Sequence, residues 1–186
     1  MQTSGARPGL TVAGKGLYLL VALLVLLADQ ATKGLAERYL AGRGPVEVIP
    51  DLLNFVYVKN TGVAFGLFPS GGRLAGTVIL AVLGLAGFAL LAYYFLHARR
   101  RQRLLLTSLC LVIGGAVGNL IDRIASGAVT DFVDFYVGTY HWYTFNLADS
   151  AITVGILLMG LDVLRAPRRG AERGDGGPAA DGPAGS

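Results

Sequence analysis

Apolar residues run together along this chain in four long stretches, at 17–35, 74–96, 104–124 and 145–164. A helix rises 1.5 Å per residue, so about 20 apolar residues cross a hydrocarbon core about 30 Å thick. The last three stretches meet that length outright. The first is apolar only as far as Ala31, and it reaches spanning length if its helix continues through Asp29 toward Leu35. Between the first two stretches the period changes. Leu53, Phe55, Tyr57 and Lys59 alternate with Asn54, Val56 and Val58, the period of two that a strand requires. Val46–Ile49 is a candidate partner strand, giving a small sheet on the membrane surface. Between the last two stretches, Phe132, Phe135, Tyr136, Tyr140, Trp142 and Tyr143 form an aromatic-rich segment of the kind that lies in the headgroup layer. The expected fold is an all-α polytopic membrane protein of four transmembrane helices, with a small sheet and an aromatic interfacial segment. Residues 1–165 form the membrane domain. The Gly-, Ala-, Pro- and Asp-rich residues 166–186 are expected to be a disordered tail.

Charge then orients the spans. Arg99, Arg100, Arg101 and Arg103 lie between the second and third, and Arg165, Arg168 and Arg169 follow the fourth. Short basic loops stay in the cytoplasm. Both termini are therefore expected inside, with 36–73 and 125–144 outside. Arg7 and Lys15 precede the first stretch as they would in a signal peptide, but no clean small-x-small site ends it and three more spans follow, so it is expected to remain.

The chain is 53% hydrophobic and only 15% charged, which fits a membrane protein. The net charge of +4 sits in the clusters that flank the spans, so it calls for no nucleic-acid partner. The single cysteine, Cys110, allows no internal disulfide and no cysteine-based metal site.

Ionisable residues inside membrane spans are costly and mark functional sites. Asn119, Asp122 and Arg123 are spaced i, i+3, i+4 near the outer end of the third span and share a face. Asn146 and Asp149 are three apart at the start of the fourth, with Asp149 about 6 Å below the helix start. Asp29 and Lys33 form an i, i+4 pair near the outer end of the first, either a snorkelling ion pair or a support for a site. Asp131 and Asp134 lie in the outer segment between the third and fourth spans. Both also read as solvated charges. Five aspartates thus gather at one membrane face, with few cations to pair them.

Two neighbouring carboxylates cannot both ionise easily and come to share one proton. The ionised member can take a proton from water while the other donates to a carbonyl oxygen, as in aspartic peptidases. No metal, cofactor or nucleophilic side chain is needed. Neither a GxSxG nor an HExxH motif is present. Ser150 with His141, or a metal held by Asp131, Asp149 and His141, would be alternatives without a recognised spacing. A small proton-coupled transporter could also use buried aspartates, although no span is visibly broken for a midplane site. Gly114 and Gly118, with Gly115 beside them, suit close helix packing.

The blocks DQATK (29–33), NTGVAFG (60–66), GGAVGNLIDR (114–123), VTDF (129–132) and FNLADSA (145–151), in this order over residues 14 to 165, resemble those of lipoprotein signal peptidase, also called signal peptidase II. The resemblance implies an intramembrane aspartyl endopeptidase of the bacterial cytoplasmic membrane, its site at the extracytoplasmic face. Its substrates would be diacylglyceryl-modified prolipoproteins, cut just before the lipidated cysteine. Partners would be these substrates and membrane lipids, and the enzyme would act as a monomer. The catalytic pair would be Asp131 and Asp149, with Asp134 the competitor for the first place. Asn119, Arg123 and Asn146 would stand near the substrate, and Asp122 would be a structural polar partner. Asn60, Gly62, Ala64 and Phe65 would belong to a loop that cradles the substrate, and Asp29 and Lys33 match the block closing the first span. Thr130 departs from the aliphatic residue common at its place in the family.

Overall fold

The computed structural model describes residues 15–61, 73–99 and 102–165. In chain order they form α1 (Gly16–Leu40), β1 (Val46–Ile49), β2 (Leu53–Asn60), α2 (Arg73–His97), α3 (Arg103–Ser126), β3 (Val129–Val137), β4 (Tyr140–His141) and α4 (Leu147–Arg165). Three of these helices, α1, α3 and α4, are long and apolar enough to cross a membrane. In α2 the apolar stretch among residues with described side chains is Val82–His97. Large apolar side chains point outward all along these helices, among them Leu24 and Leu27 of α1, Leu85 and Leu90 of α2, and Leu157 and Val163 of α4. In water such faces would be untenable; against acyl chains they cost nothing.

Helix α1 runs well past the expected end at Leu35. Its polar residues Asp29 and Lys33 do not break it, because both side chains are buried among partners on α3 and α4. The aromatic-rich segment, for which no strand was expected, forms strand β3 and the short β4, which complete an antiparallel sheet in the order β1-β2-β3-β4. The reason is readable in hindsight. Val129, Asp131, Val133, Phe135 and Val137 alternate, and Gly138 at φ 61° makes the tight turn back to Tyr140. High aromatic content masked that alternation. Strand β3 pairs with β2 from Leu53↔Phe135 to Asn60↔Val129, with an irregularity between Phe55 and Val58.

Packing is densest at two levels. At one end, Phe95, Ala98, Leu106, Leu109 and Cys110 form a buried apolar cluster joined by Tyr18, Val21 and Ala22. There the Lys15 ammonium donates to the carbonyls of Phe95 and Leu96, satisfying the C-terminus of α2. Nearer the sheet, α3 meets α1 and α4 through glycine. A Cβ on Gly114 would strike Ala22 and Val25, one on Gly115 would strike Ala148 and Ile152, and one on Gly155 would lie 2.8 Å from the Ser108 carbonyl oxygen. The glycines therefore do pack helices. Gly118 differs, because the atom it makes room for is the Asp29 carboxylate. Helix α3 ends at Gly127, left-handed at φ 74°, whose N–H closes onto Arg123 O. That stop leads the chain directly into β3, and so sets where Asp131 falls. The basic residues Arg100 and Arg101, the segment 62–72, the first 14 residues and the expected tail lie outside the described residues.

Gly115→Ala should destabilise the fold by about 1–3 kcal/mol, since the new methyl meets the backbone of α4. Gly84→Ala, whose Cβ points into open space, should change stability by about 0.5 kcal/mol or less. Thermal unfolding in detergent compares the two.

Candidate active site

The site is built where α1, α3, β3 and the N-terminus of α4 converge. Helix spacing puts Asn119 and Asp122 on one face of α3, one turn apart. Lys33 of α1 enters that face: its ammonium lies 2.8 Å from Asp29 Oδ2, 3.0 Å from Asp122 Oδ2 and 2.9 Å from Asn119 Oδ1. Lys33 is 4% exposed and Asp29 0%. The i, i+4 pair is therefore no snorkelling pair but a buried charge cluster. Its remaining valences are filled. Asp29 Oδ1 accepts the Ala148 N–H at 2.9 Å, at the start of α4. Asp122 Oδ2 accepts the Thr130 N–H at 3.0 Å, which ties the end of α3 to β3. Gln30 Nε2 bridges Asp29, Asp122 and the Gly118 carbonyl.

Asn146 stands immediately before α4 and closes a reciprocal cap with Asp149. The Asp149 N–H donates to Asn146 Oδ1 at 3.0 Å, and the Asn146 N–H donates to Asp149 Oδ2 at 3.1 Å. This is a capping box with Asn and Asp in the two roles. With Oδ1 committed to the cap, Asn146 Nδ2 turns toward β3 and donates to Asp131 Oδ1 at 2.8 Å, to Thr130 O at 3.3 Å and to Asn119 Oδ1 at 3.2 Å. Asn119 Nδ2 donates to the other oxygen of Asp149 at 2.8 Å. Asn60, last residue of β2, donates from Nδ2 to Asp131 Oδ2 at 2.8 Å. One residue, Asn146, thus touches both Asp131 and Asp149.

Asp131 is 1% exposed. Burial pushes its carboxyl above the ordinary aspartate range. Donors on Asn60 and Asn146 pull it back, the negative charge of Asp149 raises it again, and the more distant Lys33 lowers it slightly. Its strand neighbour three positions on points the other way, as period two demands. Asp134 is held there by His141 Nδ1 at 3.0 Å from each carboxylate oxygen and by Asn54 Nδ2 at 3.4 Å. His141, stacked on Tyr136, is thereby committed to Asp134 and not to Asp131 or Asp149. Ser150 Oγ donates to Asn146 O, a bond within its own helix.

Of the residues expected at the site, Asp131, Asp149, Asn119, Asp122, Asn146, Asp29, Lys33 and Asn60 form one connected network. Arg123 lies beside it, exposed, donating from Nη1 to Asn119 O at 3.4 Å. Gly62, Ala64 and Phe65 lie outside the described residues. Two members escaped sequence reasoning. Gln30 sits inside the DQATK block, and its position beside Asp29 was the available signal. Thr130 contributes backbone N–H and C=O, for which side-chain identity gives no signal.

A family model for signal peptidase (SPase) II matches residues 21–165. A lipoprotein signal peptidase of Solibacter usitatus is 42% identical over 151 residues, covering 81% of this chain and 92% of that protein. Its counterpart in Geobacter metallireducens is 43% identical, covering 82% and 93%. A solved structure described as a bacterial membrane enzyme, determined by the in meso method at 1.9 Å resolution, superposes with a TM-score of 0.71 at 30% identity, over 81% of this chain and 94% of that one. The chain belongs to the signal peptidase II family.

Because its pKa is raised on folding, Asp131 contributes stability that is complete below the ordinary aspartate pKa and is lost as pH rises through the folded value. The stability of the wild type relative to Asp131→Asn should therefore fall as pH rises from about 4 toward neutrality. Thermal unfolding of both proteins over that range checks the sign.

Proposed function

We propose that Asp131 and Asp149 are the reacting pair with which this enzyme removes signal peptides from prolipoproteins. The observation that carries this reading is Asn146, which donates to both carboxylates from one buried side chain and one backbone N–H. The pair shares one proton, which is assigned to Asp131, whose carboxyl burial pushes up. Asp149 takes a proton from water as the water oxygen attacks the carbonyl carbon of the residue before the lipidated cysteine. Asp131 donates its proton to the carbonyl oxygen. Collapse of the tetrahedral species breaks the C–N bond: the proton on Asp149 passes to the departing cysteine nitrogen, and one hydroxyl of the diol returns its proton to Asp131 as the new carboxyl group forms. Asn119 and Asn60 keep the two carboxylates aimed, and the chemistry needs no metal or cofactor.

The substrate is a diacylglyceryl-modified prolipoprotein held at the membrane by its acyl chains. Its backbone or headgroup region meets the exposed guanidinium of Arg123, whose planar set of donors suits carbonyls. Asn60 immediately precedes the sequence that carries Gly62, Ala64 and Phe65, which we assign to substrate binding. All the residues assigned to the reaction come from one chain, which supports a monomer. Residues 1–165 form one domain of four spans, α2 being the fourth, in the bacterial cytoplasmic membrane. Arg99, Arg103 and Arg165 mark the cytoplasmic end, with both termini and the tail 166–186 there. The sheet and the site lie at the extracytoplasmic face, where exposed Tyr140, Trp142 and Tyr143 meet lipid headgroups.

Asp131→Asn and Asp149→Asn should each reduce cleavage of a lipidated prolipoprotein by about 10⁴-fold or more, while the proteins insert and fold. Asp134→Asn, bound to His141 on the opposite face of β3, should keep most activity. An active Asp131→Asn beside a dead Asp134→Asn would show the pair to be misassigned. Reporters placed after Arg99 and at Gly138 should read cytoplasmic and external respectively; the reverse would put the site on the side without exported substrate.

A further inference from the structure

Three side-chain amides contact the pair, Asn60 and Asn146 at Asp131 and Asn119 at Asp149, and Asn146 and Asn119 also touch each other. An amide can turn over with little change of shape, exchanging its donor and its acceptor. Asn146 is prevented from doing so by a backbone group, since its Oδ1 accepts the Asp149 N–H at 3.0 Å. At Asn119 the two groups facing Oδ1 are side-chain donors, Lys33 Nζ at 2.9 Å and Asn146 Nδ2 at 3.2 Å. An ammonium has three donors and no acceptor, so Lys33 can meet Asn119 only through oxygen. Turned over, Asn119 would set its own N–H groups against the ammonium and its oxygen against the Asp149 carboxylate. Lys33 cannot step aside. It is buried in α1 and gripped by Asp29 at 2.8 Å and Asp122 at 3.0 Å.

We propose that Lys33 is a positioning residue for the reaction: its ammonium orients the Asn119 amide, which then holds the Asp149 carboxylate in line with the water. The two ion pairs fasten the ammonium in place, and its third contact, to Asn119, is the one that reaches the reaction. Lys33 has no part in binding substrate. This inference rests on the reading of Asp131 and Asp149 as the reacting pair. The charged groups around the contact are Lys33 and Asp29 from α1, Asp122 from α3, Asp131 from β3 and Asp149 itself.

The test is the pH dependence of kcat for purified full-length protein cleaving a diacylglyceryl-modified prolipoprotein. It compares the wild type with Lys33→Met, Lys33→Met/Asp122→Asn and Asp149→Asn. In Lys33→Met, kcat should fall by about ten- to a hundredfold, the loss expected when a charge-assisted hydrogen bond disappears. The acidic limb of the profile should also move to higher pH, because a carboxylate that loses a donor takes up its proton more readily. A smaller folded fraction would scale the whole profile and leave the limb in place. The double variant removes one charge of each sign and keeps an amide oxygen at position 122 to accept from the Thr130 N–H. It should fold, yet stay impaired with its limb displaced. Recovery of wild-type kcat and limb in the double variant would overturn the proposal and make Lys33 a counter-charge only. An unaltered Lys33→Met would overturn it as well. If Lys33→Met fails to fold, the double variant alone decides. An active Asp149→Asn would instead overturn the dyad, separating that failure from this one.

Discussion

A single buried ammonium ties this structure together. Lys33 has three donors, and it gives them to Asp29 of its own helix and to Asp122 and Asn119 of α3. Through Asp29 it reaches the first turn of α4, through Asp122 the first residues of β3, and through Asn119 the Asp149 carboxylate. Moving charges out of water costs several kcal/mol per ion, and the attraction offsets that only when every remaining valence is filled. Here the valences are filled, by backbone N–H groups of Ala148 and Thr130 and by Gln30. Removing one member would leave the others uncompensated, at a cost of about 3–5 kcal/mol. The cluster therefore behaves as one unit. Four segments distant in sequence must arrive together or not at all.

Such a joint requires helices close enough for side chains from three of them to meet in a volume without water. Hydrophobic burial cannot supply that approach inside a bilayer, where lipid is as apolar as leucine. Small residues can. Gly114 and Gly115 bring α1 and α4 onto neighbouring faces of α3, and Gly118, one turn nearer the sheet, leaves space that the Asp29 carboxylate fills. The glycine ladder of α3 thus passes from packing to chemistry along its length. The same helix then ends at Gly127 and turns into β3 within two residues, so the distance from Asp122 to Asp131 is fixed by a helix stop and a strand start rather than by a flexible loop.

Much of this was legible in the sequence, and the parts that were not failed for identifiable reasons. The helices showed in run length, and the i, i+3 and i, i+4 spacings placed Asn119, Asp122, Asp29, Lys33, Asn146 and Asp149 on faces that do meet. The length of α1 was underestimated because Asp29 and Lys33 look like an end until their partners are known. Strand β3 was hidden by its aromatics and by Asp131, which interrupts its apolar face. Without β3, only the resemblance to the family distinguishes Asp131 from Asp134. Once β3 is recognised, the parity of the strand separates them, one toward Asn146 and Asn60, the other toward His141. Backbone partners such as the Thr130 N–H leave no trace in residue identity.

The two carboxylates differ in kind, and the difference follows from the elements that carry them. Asp149 occupies the third position of a helix, where unpaired N–H groups and the macrodipole accommodate negative charge. It also forms half of the capping box that starts that helix. Asp131 is the third residue of β3, and among the described residues its carboxylate receives side-chain donors from Asn60 and Asn146. A helix terminus and a strand thus present the same functional group in unlike electrostatic settings. Asn146 belongs to both settings at once, capping the helix with its oxygen and reaching the strand with its nitrogen. The orientation of that one amide cannot reverse without opening the first turn of α4, so the contacts that start the helix also fix how Asn146 meets Asp131.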